Sequence, residues 1–341
     1  MTIRVAVNGL GRTGRQFFRA CLKDSEFGKS FDVVAFNDLA DPIHLAYFLK
    51  YDSVHGTLPN KISHNESAVE VDGKSYGVYK INSPEKLPWA TLGVDVVVES
   101  TGHFTSRQLS EGHLKAGAKK VLISAPAKNP DLTLVPGVNL QKYDPLTHKI
   151  ISAASCTTNC LAPMLKVLLE HFGVEKGFLS TVHAYTNDQR VLDLMHESMR
   201  RSRAAGLSII PTTTGAASAI GEVMPELKGK MDGIAFRVPV PDGSITDLTV
   251  VLGKEATAKE INEAYKQASQ NELKGILDYT EDPVVSADIV GNANSCIIDA
   301  GGTYVLGERS NLVKVLGWYD NEWGYSNRLL DIVKYIARSS M

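Results

Sequence analysis

The stretch "IRVAVNGLGRTGR", residues 3 to 15, decides how the first half of the chain is read. A short apolar run, Ile3 to Val7, feeds a turn carrying Gly9, Gly11 and Gly14, and helical spacing starts at once. "GRQFFRACLKD" (14–24) repeats Phe17 or Phe18, Cys21 and Leu22 on one side. Glycines at these three places allow a tight turn and a close backbone approach. The helix N-terminus behind them offers free N–H groups to a pyrophosphate. A second strand-like run, "FDVVAFND" (31–38), ends on Asp38, where an acid accepts hydrogen bonds from ribose hydroxyls. The same carboxylate repels a 2′-phosphate, so the expected cofactor is NAD rather than NADP. The competing reading is a structural strand–turn–helix with an incidental aspartate at a strand end.

Working outward, "PIHLAYFLKYD" (42–52) reads as helix, and "GVDVVVEST" (93–101) and "KKVLISAP" (119–126) read as strands with a helix between them. This βαβ rhythm predicts a Rossmann-type, doubly wound parallel sheet. After residue 155 the texture changes. "CLAPMLKVLLEHFG" is a helix with Gly173 as C-cap. The runs "GFLSTVHAYT", "DGIAFRVPVP", "SITDLTVVLG", "SCIIDA" and "TYVLGE" predict an α+β domain with a mainly antiparallel sheet. One of its helices starts at Thr257, with Glu260 completing a capping box. "SNRLLDIVKYIA" closes the chain as an amphipathic helix.

The 341 residues suit two domains. Lys and Arg number 36 against 38 Asp and Glu, a net charge of −2 without long basic runs, which excludes an electrostatic case for nucleic acid or anionic membrane. The opening "MTIRVAVNGLG" is not a signal peptide, and no apolar run reaches membrane-spanning length. Four cysteines at irregular spacing suit a reducing compartment, so the expected location is cytoplasmic.

Two of those cysteines stand in "SAASCTTNCLAP" (152–163). A disulfide, a metal site, two inert core thiols, or one nucleophile with a neighbour all fit the spacing. No second pair completes a zinc site, and no metal is expected. Cys156 opens the helix, where free N–H groups and the dipole lower a thiol's pKa. Cys160, one turn further in, would pack. Among nine histidines, His183 sits at the polar end of "FLSTVHAYTND", where it could serve as base or be a satisfied structural histidine. Hydroxyl and arginine residues crowd the same half: Ser155, Thr157, Thr158, Thr186, "RRSR" (200–203), "PTTTG" (211–215) and Arg237. Such groups bind phosphate oxygens, although "RRSR" equally suits a solvated basic face.

Taken together, "NGLGRTGR", "NDLAD", "LKYDSVHG", "VVVESTGHFTS", "KKVLISAPAK", "SAASCTTNCLAP", "STVHAYTNDQ", "IIPTTTGAAS", "AFRVPVP" and "WYDNEWGYSNR" resemble the phosphorylating glyceraldehyde-3-phosphate dehydrogenases over essentially the whole chain. The resemblance implies oxidation of glyceraldehyde 3-phosphate with NAD and inorganic phosphate to 1,3-bisphosphoglycerate, through a hemithioacetal and a thioester. It implies Cys156 as nucleophile and His183 as base. Thr186 and Arg237 are expected to hold the substrate phosphate. Ser155, Thr157, Arg201, Thr214 and Gly215 are expected to serve the inorganic phosphate and adjoining positions. Gly9, Gly11, Arg12, Thr13, Gly14, Asp38, Ser124, Asn321 and Tyr325 are the expected cofactor set, with Asn321 orienting the nicotinamide carboxamide. The implied domains are 1–155, completed by 320–341, and 156–319, in a homotetramer. The chain departs from the family pattern at Leu10, Thr13, "INSP" (81–84), Met195 and Asp242-Gly243. Erythrose-4-phosphate dehydrogenase is the nearest alternative activity, and a non-catalytic dinucleotide-binding protein is the alternative from another class.

Overall fold

The computed structural model describes residues 2–339. Contacts divide the chain into two compact units: Met1–Leu134, Leu140–Ala154 and Ser326–Met341 form one, and Val135–Asn139 with Ser155–Tyr325 form the other.

The first unit is built on a nine-stranded sheet. Strand Ile3–Asn8 lies inside it, paired in parallel with Phe31–Asn37 on one side and Val96–Glu99 on the other. Beyond Val96–Glu99 come Lys120–Ile123, Ile150–Ser152 and Leu132–Thr133, all parallel. Beyond Phe31–Asn37 comes Lys74–Tyr79, parallel, and then a short antiparallel extension, Ala68–Val71 and Ile62–His64. The chain therefore winds outward in both directions from its first strand, which makes the carboxyl end of that strand a topological switch point. Val5, Val7, Val33, Val97, Val98, Val121 and Leu122 are fully buried, as both-face coverage of a parallel sheet requires. Helices Arg12–Lys23 and Arg107–Lys115 are the crossovers beside the switch point. The helix expected over 42–52 spans Pro42–Lys50, because residues 51–52 leave it to pair with Gly56–Thr57. The C-terminal helix, Trp323–Ser339, buries Leu329, Ile332, Val333 and Ile336 on one stripe. It is tied down by Lys334, whose Nζ lies 2.8 Å from Asp24 and 3.0 Å from Glu26.

The second unit is a seven-stranded sheet in the order Ile210–Thr213, Met231–Val238, Val174–Ala184, Ser244–Ala256, Ser310–Tyr319, Cys296–Val305, Leu277–Thr280. Four of its pairings are antiparallel. Two are parallel, Val174–Ala184 with Met231–Val238 and Leu277–Thr280 with Cys296–Val305. Helix Cys156–Phe172 packs on it, N-capped by the Ser155 hydroxyl and ended by Gly173 at φ +74. The predicted capping box is formed, with Thr257 and Glu260 satisfying one another's backbone N–H groups. Alternation along Val174–Ala184 turns Leu179, Thr181 and His183 inward and Phe178 and Val182 outward. That period of two is what places an imidazole inside the unit.

Candidate active site

The glycine turn of the first unit has the geometry a dinucleotide needs. Gly9 adopts φ +91, and a Cβ there would lie 2.7 Å from the Thr101 backbone nitrogen. A Cβ on Gly14 would lie 2.0 Å from the Gly9 carbonyl oxygen, so helix and strand meet at this point only through glycine. A Cβ on Gly11 would meet nothing within 4 Å, and no side chain caps the helix that begins at Arg12. The turn thus leaves an open cradle before a helix N-terminus, a fit for a pyrophosphate. Asp38 lies at the end of the next strand. Its carboxylate accepts from the Leu10 and Ala40 backbone N–H groups, at 2.7 and 3.0 Å, which braces the turn from behind. Arg12 does not extend freely into this region: its guanidinium makes a bidentate pair with Asp52, at 2.6 and 3.1 Å. Thr13 is half-buried on the first helical turn, and Ser124 follows strand Lys120–Ile123, donating its N–H to the Glu99 carbonyl.

In the second unit, Cys156 is the first residue of its helix, and its Sγ lies 3.4 Å from His183 Nε2. His183 Nδ1 lies 2.7 Å from the Ala184 carbonyl and 2.8 Å from Arg237 Nη1, which also donates to that carbonyl at 3.0 Å. Nδ1 faces both a carbonyl that accepts and a guanidinium that only donates; with its proton directed to Ala184, Nε2 has its lone pair toward sulfur, the tautomer that can take a proton from the thiol. The sequence predicts a thiol of lowered pKa, and the resting site differs. Burial pushes Cys156 up to about 11, against opposing pulls from Arg237 and the Thr157 hydrogen bonds. Burial also pushes His183 down, to about 3, reinforced by the Arg237 charge. Desolvation penalises both charged forms, so burial favours thiol and neutral imidazole.

The other hydroxyls and arginines expected at the site lie in the same unit, most of them engaged with their own neighbours. Ser155 is engaged with its own helix: its Oγ accepts the Thr158 N–H at 3.0 Å. Thr157 is buried, and its hydroxyl lies 2.9 Å from Tyr319 Oη, which also meets Thr181 at 2.8 Å. Tyr319, not singled out from the sequence, packs its ring edge-on to His183, 5.9 Å between centroids. The signal for it was the "WYDNEWGYSNR" stretch, from which only Asn321 and Tyr325 are read as site residues. Arg201 donates from Nη1 to Asp188 at 2.5 Å and from Nε to Thr212 at 2.9 Å. Its charge acts on both His183 and Arg237, which puts it in the same electrostatic neighbourhood. Asp188 and its second partner His196, at 3.3 Å, were likewise missed, because nothing local marks them. Thr214 accepts the Ala216 N–H, and Gly215 stands before helix Ala216–Val223 without a side-chain cap. Thr186 is half-buried, its N–H directed to Gln189.

Asn321 and Tyr325 are buried in this same unit. Asn321 Oδ1 accepts from Ser244 at 2.6 Å, which fixes the amide's orientation. Asp320 beside it accepts the N–H groups of Gly291, Glu322 and Trp323. Asp242 is 1 % exposed and carries an elevated pKa, about 9, because of burial and the neighbouring Asp320 and Glu322 charges. Cys160 is buried, 3.9 Å from Met164 Sδ and 3.7 Å from the Gly317 carbonyl.

Fold and sites define a class: a protein with a doubly wound, dinucleotide-binding unit and an α+β unit in which a helix-leading cysteine, a histidine and arginines meet. Two family profiles match, one within the first unit and one within the second. Residues 3–107 match "Glyceraldehyde 3-phosphate dehydrogenase, NAD binding domain", and residues 155–321 match the C-terminal domain of that family. The chain is 57% identical over 338 residues to glyceraldehyde-3-phosphate dehydrogenase of Streptomyces coelicolor, covering 99% of each. It is 55% identical over 341 residues to that of Geobacillus stearothermophilus, covering 100% of each. To glyceraldehyde-3-phosphate dehydrogenase 2 of Streptomyces avermitilis it is 55% identical over 337 residues, 99% of each. The chain belongs to the glyceraldehyde-3-phosphate dehydrogenase family, and its cofactor is NAD.

Proposed function

We propose that the protein oxidises glyceraldehyde 3-phosphate with NAD and inorganic phosphate to 1,3-bisphosphoglycerate, with Cys156 as nucleophile and His183 as its base. The observation that carries the reading is the 3.4 Å approach of Cys156 Sγ to His183 Nε2 at the head of a buried helix. The full-length similarity to relatives bearing that enzyme name supports it.

The residues divide the work. Sulfur attacks the aldehyde carbon, and the oxygen gains a proton to give the hemithioacetal. NAD, when bound, supplies the hydride acceptor. As the C–H bond breaks, His183 Nε2 takes the hydroxyl proton, leaving a thioester on Cys156. A phosphate oxygen then attacks the thioester carbon, and the C–S bond breaks to return the thiolate. Arg237 and Thr186 receive the substrate phosphate; Ser155, Thr157, Arg201, Thr214 and Gly215 serve the attacking phosphate and adjoining positions. Because the imidazole lies between Arg237 and sulfur, a bound phosphate at Arg237 offsets the charge that keeps His183 deprotonated. Substrate then favours the thiolate–imidazolium pair that burial by itself disfavours. Gly9, Gly11, Arg12, Thr13, Gly14, Asp38 and Ser124 would hold the nucleotide, Arg12 by bracing through Asp52. Asn321, oriented by Ser244, would hold the carboxamide, with Tyr325 beside it. We propose 1–155, completed by 320–341, as the dinucleotide-binding domain and 156–319 as the catalytic domain, although by contacts Val135–Asn139, Ser155 and residues 320–325 group with the second unit.

We further propose a cytoplasmic homotetramer. No helix among the described residues is long and apolar enough to cross a membrane. The outward face of the second sheet exposes Phe178, Val182, Ile234 and Leu312, and the loop after it exposes Val191, Leu194, Met195 and Met199. Apolar surface on this scale marks an interface. Light scattering on the purified protein tests the assembly, and a monomer at micromolar concentration would exclude it. Steady-state rates with glyceraldehyde 3-phosphate and erythrose 4-phosphate, each with NAD and NADP, test the activity. A preference for the tetrose would overturn the assignment.

A further inference from the structure

Three strands of the first unit end in a shared buried polar network. Asn8, Asn37 and Glu99 are the last residues of the strands that begin at Ile3, Phe31 and Val96, and none is more than 5 % exposed. Glu99 Oε2 accepts from Asn8 Nδ2 at 2.5 Å and meets His113 Nε2 at 3.0 Å. Its Oε1 accepts the Thr101 N–H at 2.8 Å and the Thr101 hydroxyl. Asn8 Oδ1 accepts from Asn37 Nδ2, whose amide also exchanges hydrogen bonds with the Ile81 backbone. Behind Glu99, the fully buried Trp89 donates its indole N–H to His113 Nδ1 at 3.0 Å. Indole is a donor only, so Nδ1 has no proton. That leaves Nε2 to carry a proton aimed at Glu99 Oε2. Asn8 Nδ2, His113 Nε2 and the N–H and hydroxyl of Thr101 all converge on this one carboxylate.

The position of this network gives it a role beyond burial. The residue following each strand end faces the nucleotide cradle or its brace: Gly9 after Asn8, Asp38 after Asn37, and Ser100 with Thr101 after Glu99. The Ser100 hydroxyl donates to the Gly9 carbonyl at 2.7 Å. The Thr101 nitrogen lies 2.7 Å from the position a Gly9 Cβ would take. Glu99 holds that nitrogen by its N–H. We propose that Glu99, backed by His113 and Trp89, is a positioning residue for NAD: it sets the mutual register of the three strand ends from which the cradle is made. This rests on the first unit being the NAD site. Satisfied buried networks of this kind define one geometry, whereas a single mismatched donor costs the whole set.

Glu99→Gln replaces one acceptor by an amide donor, which faces either Thr101 N–H or the Asn8 and His113 donors. The experiment measures NAD affinity by calorimetry, KM for NAD and for the aldehyde, and melting temperature with and without NAD. The expected result is a Kd and KM for NAD raised about fivefold or more, with KM for the aldehyde unchanged and a smaller NAD-induced rise in Tm. A role in folding alone would lower the Tm of the free protein and leave NAD affinity intact, which overturns the proposal. Should Glu99→Gln fail to fold, Trp89→Phe removes the donor to His113 Nδ1 and keeps a smaller aromatic ring, with the free protein's Tm reading the packing lost with the rest of the indole. This substitution is expected to weaken NAD about threefold, and unaltered affinity in that variant equally overturns the proposal. Wild-type protein that does not bind NAD would instead sink the functional reading on which this one stands.

Discussion

Arg237 Nη1 lies 2.8 Å from His183 Nδ1, so the cation nearest the imidazole is on the side away from Cys156. After burial, it is the main influence holding His183 down at about pKa 3. Replacing it with leucine should move the His183 titration upward, toward the ordinary imidazole range near about 6.5. Ring resonances followed by NMR across pH 3–8 would read this directly, and a titration that stays put would show that Arg237 has no hold on the ring. The same variant should lose about 10²-fold in kcat/KM for glyceraldehyde 3-phosphate, since a charge-assisted phosphate contact goes with it.

The two cysteines of the "CTTNC" helix should behave differently. Cys156→Ser is expected to lower kcat by about 10⁴-fold or more while NAD binding survives, because a hydroxyl is a far weaker nucleophile. Cys160→Ser should keep most activity and lose about 1–2 kcal/mol of stability, since it places a hydroxyl among Met164 and Gly317 in the core. Parallel activity assays and denaturant melts decide it: an inactive Cys160 variant beside an active Cys156 variant reverses the assignment.

Asp38 braces the glycine turn through the Leu10 N–H, and in the proposed NAD site it receives the ribose hydroxyls. Asp38→Ala should therefore reduce kcat/KM with NAD by about 10-fold to 100-fold. Use of NADP should improve less than the lost repulsion alone would suggest, because the turn is loosened for both cofactors. Kinetics with each cofactor test this, and wild-type efficiency with NADP equal to that with NAD would defeat the role of Asp38.

Asp242 makes stability depend on pH. Burial and the charges of Asp320 and Glu322 raise its pKa from 3.8 to about 9 in the folded unit. Between those values the native state holds a proton that the unfolded chain has released. Stability contributed through this group therefore falls as pH rises from about 4 to about 9, and levels off above. Asp242→Asn keeps an acceptor for the Gly243 N–H and cannot ionise. Urea melts at pH 5, 7 and 9 should show the variant gaining on the wild type as pH rises, by about 1 kcal/mol or more at the alkaline end. Parallel curves at all three pH values would mean that Asp242 is not the titrating group.

Several features were legible because their causes are local. The glycine turn follows from the residues between 9 and 14, and the structure places them at the switch point of a parallel sheet. The helix starting at Cys156 is announced by Ser155 and stopped by Gly173, and the Thr257–Glu260 box needs only four residues. The end of the helix at Lys50 was less legible, since Tyr51 and Asp52 are claimed by pairing with residues 56–57.

The sequence by itself determined the alternation that turns His183 inward, the helix that presents Cys156, and the glycines that keep a cradle open. Only the tertiary structure decided what those groups meet. His183 and Arg237 are register partners on adjacent parallel strands, 54 residues apart in the chain. Tyr319 reaches Thr157 across 162 residues. The carboxylate of Glu99 gathers Asn8 and His113 from two other elements. The thiol's elevated pKa belongs to the same class of fact. A helix N-terminus, visible in the sequence, lowers it, but burial is set by everything packed around the sulfur, and in the resting site desolvation outweighs the dipole.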